Sequence, residues 1–459
     1  MSQFPTPTPL EWRDAAIKAL KDRPLEGLIH LDTDQLAVRP LYGTANGGEA
    51  VFAPRPSDSE GRAWDVRAIN EGTDAVALNR AILTDLENGA ASVLLSGAVV
   101  TDAGQLAKAL DGVALELAPV AVEAGFEGLQ AAEALSAVAK GSPRAKLAFH
   151  LDPVSAYAVS GGAPSDMAGL MADFAKAAAG YAVTYPEAKL YLATGRVAHE
   201  AGGSIGQELA FALSSAVAYV KGLIDAGLSA DKAVAAVTLG VSLDQQYFDA
   251  LAKVRALRLL WANVSKAFGT DVQATVEARS SRRMLSARDP WPNMLRLTAA
   301  GFAGAVGGAD VVVLDGFTRA GGLPDDFARR QARNTQLILM EESNLGRVDD
   351  PASGSWYLDA RTRELAQAAW TEFQIIEAEG GIVEALSGHL IQPRIQRARE
   401  LLEKTYQNGS AQIIGVTKYV DSDVRTAGVV ATDAAAVDFK AFEALTPVRF
   451  AAIFEEAAQ

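Results

Sequence analysis

Arginines and a few histidines set the chemical possibilities of this chain. Only four of its 459 residues are histidine, at positions 30, 150, 199 and 389, and none is cysteine. Without a thiol there is no disulfide, no thiolate nucleophile and no zinc–thiolate centre. The densest basic group is Arg279, Arg282 and Arg283, just past a Val- and Ala-rich run. Arg196 and His199 sit after another apolar run, with Glu200 four residues beyond Arg196. With Ser96, Asp152, Thr194, Ser242, Ser280 and Asp315 they form a set of polar groups at the ends of apolar segments, able to hold a polar ligand. The competing reading is plainer. Ser, Asp and Thr there cap helix starts, Arg196 pairs with Glu200 along a helix, His199 caps a helix, and the arginine trio is a solvated loop end. His30, His150 and His389 have no partner visible in the sequence.

Composition narrows the classes. Hydrophobic residues make up 49% of the chain, ample for a large core. The net charge is −14, and without a basic patch this argues against nucleic acid as a partner. No apolar run approaches the roughly 20 residues of a membrane span. The opening MSQFPTPTPLEW lacks the basic and apolar regions of a signal peptide. The expectation is a soluble, acidic, cytoplasmic protein.

Those polar groups need elements to position them. Residues 1–75 read as an N-terminal extension: a Pro/Thr-rich lead, a short helix and irregular pieces. From residue 76 to 459, short Val/Leu/Ile runs alternate with Ala/Leu-rich helical stretches. Eight candidate strands emerge, at 91–97, 113–118, 146–152, 189–195, 235–242, 271–278, 310–317 and 411–419. Continuous apolar strands separated by helices indicate parallel pairing with both faces buried. Eight repeats favour a (β/α)8 TIM barrel over an open sheet. Residues 318–410 then form a long helical insertion between strands 7 and 8. Ser204 with Gln207 three residues on is a capping box, opening a helix with its apolar stripe at Leu209, Leu213, Val217, Val220 and Ile224.

Three stretches carry a resemblance: ARNTQLILMEESNLGRVDDPASGSWYLD (332–359), ARDPWPNMLRLTAAGFAGAVGGADVVVLDGF (287–317) and AHEAGGSIGQELAFAL (198–213). GRAWDVRAINEG (61–72) adds an echo of an Arg-x-Trp segment. In order and over almost the whole chain, they resemble the methylmalonyl-CoA mutase family of adenosylcobalamin-dependent isomerases. The resemblance implies a substrate barrel whose axis is threaded by the pantetheine arm of CoA. It implies substrate contacts at Arg67, Arg196, His199, Arg279 and Arg282, the last two for a CoA phosphate. His199 is the catalytic candidate; no metal site is expected. Helical spacing places Arg330, Asn334 and Glu341 on one face, expected to form a polar packing seam.

The chain departs from the family's catalytic pattern. The cobalamin loop, Asp-x-His-x-x-Gly, is not in this sequence. Where catalytic chains carry a Tyr-His pair, this one has Arg196-Val197. No arginine lies between Arg144 and Arg196 to pair a substrate carboxylate. The pattern therefore resembles the family's small-subunit branch, which implies a heterodimer with a larger, cobalamin-binding mutase chain and no adenosylcobalamin on this one. Two alternatives stay open: a catalytic barrel served by a separate cobalamin-binding polypeptide, and a non-catalytic acyl-CoA-binding or interaction protein.

Overall fold

The computed structural model describes residues 7–21, 23–44, 48–56, 62–430 and 439–455; the Pro/Thr-rich lead at 1–6 lies outside them. Eight strands, β1 (Asp65–Glu71), β2 (Ser92–Ser96), β3 (Val120–Glu123), β4 (Leu147–Leu151), β5 (Lys189–Thr194), β6 (Val237–Leu243), β7 (Thr275–Ser280) and β8 (Val311–Val313), close into one barrel. Every pairing is parallel, and β8 closes the ring against β1 and β7. Alternation sends Val237, Leu239, Val241 and Leu243 of β6 outward into the core between barrel and helices, and Thr238, Gly240 and Ser242 inward.

Six helices bear on the site. They are α1 (Pro153–Ser160), α2 (Arg196–Glu200), α3 (Ile205–Asp225), α4 (Tyr247–Ala267), α5 (Asp326–Leu337) and α6 (Trp356–Ala378). Helix α3 opens with the expected capping box. The Ser204 hydroxyl accepts from the Gln207 amide, and the Gln207 side chain accepts from the Ser204 amide. Its whole stripe is buried except Ile224, which is half-buried. Helix α6 lies along both α3 and α4.

The barrel stands as expected, but its ends fall elsewhere. The first strand is β1, inside the stretch read as an extension, so the barrel begins before residue 76. Asp65, Arg67 and Glu71 break the apolar signature there because the interior of this barrel is charged, and Asn70 breaks it on the outer face, where it bonds Asp85. Residues 113–118 are turns, and the strand follows Pro119. Residues 411–419 form no barrel strand; Ile413 and Val416 pack with Phe450 in a small satellite core. The helical segment 318–410 therefore follows the eighth strand and is not an insertion between strands 7 and 8.

That segment is fastened by arginines. Arg255 of α4, fully buried, donates to Asp350 at 2.9 and 3.0 Å, to Asp359 at 2.8 Å, to Thr362 at 2.9 Å and to the Val51 carbonyl at 2.6 Å. Asp350 also accepts from the Ala53 amide at 2.8 Å. The Asp-Pro turn thus ties the N-terminal arm, α4 and α6 together. A polar seam does join α5 to the barrel side, but on another face than expected: Arg329 and Arg333 meet Asp85, and Gln336 accepts from the Trp64 indole N–H at 3.1 Å. Arg330 and Glu341 are exposed.

Candidate functional site

The inward positions of β1, β3, β4 and β7 carry Arg67, Glu123, His150, Glu277 and Arg279. Arg67 donates to Glu277 at 2.7 Å, to Ser92 at 2.8 Å and to Asp65 at 3.1 Å. Arg279 donates to Glu277 at 3.2 Å and to both oxygens of Glu123, at 2.5 and 3.2 Å. Strands β3 and β7 stand opposite each other in the ring, so the Arg279–Glu123 pair spans the barrel's diameter. An apolar patch of Ile69, Leu94, Ala121 and Ala148 fills the neighbouring interior.

The charges stabilise one another. Burial alone would raise the Glu123 carboxyl, yet Arg279 and His150 hold it well below the ordinary range. Glu277 is likewise lowered against its burial, by His150, Arg67 and Arg279. His150 sits between the two carboxylates with Nδ1 3.8 Å from Glu123 and Nε2 3.8 Å from Glu277, and neither buried nitrogen has a hydrogen bond. Its φ of 40° accompanies a break in the β4–β5 register. Among the described residues Glu123, His150 and Glu277 are the group with metal-ligand spacing. Arg67 and Arg279 already serve as their cations, and a metal ion there would face two guanidinia at close range.

His199 belongs to a second cluster, beside the axis and fully buried. Its Nδ1 meets Glu208 Oε2 at 3.0 Å and its Nε2 meets Ser281 Oγ at 3.0 Å. Lys253 donates to the same Glu208 oxygen at 2.7 Å, and the Ser242 amide to its other oxygen at 2.5 Å. Burial opposes it, but Lys253 and His199 hold Glu208 at about 2. Burial and Arg283 lower His199, so the ring is neutral at pH 7: Nδ1–H donates to Glu208 and Nε2 accepts from Ser281. Serine, histidine and glutamate in this relay match the geometry of a nucleophilic triad. Ser281 is wholly buried and its hydroxyl also accepts from the Arg283 amide at 3.2 Å, so the relay is a packing device.

The C-terminal mouth of the barrel holds the remaining candidates. Arg282, its side chain 40% exposed, donates to Asp315 at 3.0 Å. Arg319 donates to Glu71 at 2.7 Å. Glu200 accepts from the Arg282 and Arg283 amides, at 3.1–3.2 Å, rather than pairing with Arg196. Asp152 caps α1 and accepts from the Tyr219 hydroxyl at 2.5 Å; burial raises it to about 7. Of the residues singled out from sequence, Arg67 and Arg279 meet through Glu277, Arg282 and Arg196 share the mouth, and His199 lies apart. Glu123, His150 and Glu277 were not singled out. Their signal was present in TVEARS, where Glu277 and Arg279 alternate with Val276 and Ala278 in the manner of a strand with a charged inner face.

A family model described as methylmalonyl-CoA mutase matches residues 85–452. The methylmalonyl-CoA mutase small subunit of Streptomyces virginiae is 39% identical over 404 residues, covering 84% of this chain and 65% of that protein. That of Propionibacterium freudenreichii subsp. shermanii is 33% identical over 449 residues, covering 91% and 69%. A probable methylmalonyl-CoA mutase small subunit of Mycobacterium tuberculosis is 36% identical over 408 residues, covering 84% and 63%. The chain thus spans about two thirds of the length of these relatives. No helix among the described residues is long and apolar enough to cross a membrane.

Proposed function

Because the chain belongs to the methylmalonyl-CoA mutase family, we propose that it acts as a non-catalytic small subunit. It would support a larger partner chain that holds adenosylcobalamin and interconverts methylmalonyl-CoA and succinyl-CoA, in the cytoplasm. The observation that carries this reading is the Arg279–Glu123 bridge. A pantetheine arm on the barrel axis would have to pass where the two side chains meet at 2.5 Å, and breaking them apart costs Glu123 its arginine and leaves Arg279 with Glu277 alone. Arg67, Arg279 and His199 serve on this reading as structure, not as substrate contacts.

The chain's own histidines do not suit cobalt. Both nitrogens of His199 are engaged, and those of His150 are enclosed between two glutamates. His30 and His389 are exposed, and neither follows an aspartate two positions earlier. The cofactor, which supplies homolysis of its Co–C bond, is therefore assigned to the partner. The test is an isomerase assay with adenosylcobalamin. The purified chain alone is expected to give no succinyl-CoA, with activity appearing when the larger mutase chain of the same host is added. Turnover by this chain alone overturns the proposal.

A further inference from the structure

Arg196 is the exception among the buried and half-buried arginines of this fold. Arg67, Arg255, Arg258, Arg279 and Arg283 each have a carboxylate within 3.1 Å. The Arg196 guanidinium has no hydrogen bond, ion pair or aromatic ring among the described residues, and its Nε is sealed from water. The carboxylate nearest in sequence, Glu200, is held by backbone amides. The charges that act on Arg196 come from around the ring: Arg279 from β7, Glu123 from β3, Arg282 from beyond β7 and Glu200 from α2. Arg196 opens α2 just past the C-terminal end of β5, which places it at the mouth of the barrel.

We propose that Arg196, with Arg282 beside it, forms a binding site for a small oxyanion, a carboxylate or a phosphate, at the C-terminal mouth of the barrel. Arg196 is half-buried with its Nε sealed, and Glu200 and Glu123 act on it without bonding to it, so a directly bound anion would satisfy it. Its planar fork is shaped for two oxygens of one anion. Arg282 commits only its Nε to Asp315, leaves its terminal nitrogens without a partner among the described residues, and opens to solvent. Burial and the neighbouring Arg279 pull Arg196 down to about 10, which leaves it charged at neutral pH. Arg196 follows the C-terminal end of β5 and Arg282 that of β7, so an anion reaches them from the mouth without threading the axis.

The experiment is calorimetric titration of the full chain with sodium succinate and, separately, with sodium phosphate at fixed ionic strength. One-site saturable binding of at least one is expected, and which one binds tells a carboxylate ligand from a phosphate ligand. Arg196→Met is expected to weaken it by about 10-fold or more, since it removes a bidentate charged contact. Arg282→Met is expected to weaken it less, and serves if the first variant does not fold. Arg144→Met, at the opposite end of β4 and 83% exposed, is expected to bind like the parent. No saturable heat with either anion overturns the site. So does unchanged affinity in Arg196→Met or, where that variant does not fold, in Arg282→Met.

Discussion

Arg255 is fully buried and Arg196 half-buried, and the molecule treats them in opposite ways. On the outer seam Arg255 makes five hydrogen bonds, to two aspartates, a threonine and a carbonyl. At the mouth Arg196 makes none through its side chain among the described residues. Asp152, also at the mouth, accepts from the Tyr219 hydroxyl and the Ser155 amide but has no cation among the described residues, and burial raises it to about 7, while Glu208 in the buried cluster falls to about 2. The difference separates two uses of charge. Arg255 is fully paired where it holds elements together, and Arg196 is left without a bond where the barrel opens.

That contrast can be broken by substitution. Arg255→Met strands Asp350 and Asp359 in the interior and is expected to cost about 3–5 kcal/mol in denaturant unfolding; a loss under about 1 kcal/mol would dissolve the distinction at its stronger end. Lys253→Met removes one charged donor from Glu208 but leaves the Ser242 amide and His199, so about 1.5–3 kcal/mol is expected by the same measurement.

Asp152→Asn acts through pH. The folded carboxyl sits near 7, above its ordinary 3.8. Its contribution to stability is full below about pH 4 and is lost as pH rises through 7. Asparagine still caps α1 and does not ionise, so unfolding midpoints measured at about pH 6 and pH 8 should differ less in the variant than in the parent. Equal differences would remove Asp152 from the account. The smallest effect is expected from Arg196→Met without added anion. Since no partner is lost, unfolding should shift by no more than about 0.5 kcal/mol, or toward greater stability. A loss above about 2 kcal/mol would mean that Arg196 is paired after all.

How far the sequence reveals this follows from where the charges point. Strands such as SVLLS and LAFHL read directly, because their outward faces meet helices and their inward faces are mostly small or apolar. DVRAINE does not, since Arg67 and Asn70 look like loop residues until Glu277 and Asp85 are seen beside them. AQIIGVTKY misleads in the other direction. Its apolar residues pack against Phe450 and not against a barrel wall. On α5 the seam uses Arg329, Arg333 and Gln336 rather than Arg330 and Glu341. Helical spacing alone offers both faces, and only the position of Asp85 chooses between them. The arginines at 196, 279 and 282 were visible as candidates. That Arg279 would be engaged by Glu123 and Glu277, Arg282 engaged through its Nε alone and Arg196 left open depends on contacts between strands far apart in the chain.

The claim on which most depends is that the barrel axis is shut. A crystal of this chain soaked in a CoA thioester tests it directly. The account expects no pantetheine density along the axis and Arg279 still bonded to Glu123. A thioester lying on the axis, with that pair driven apart, would contradict it.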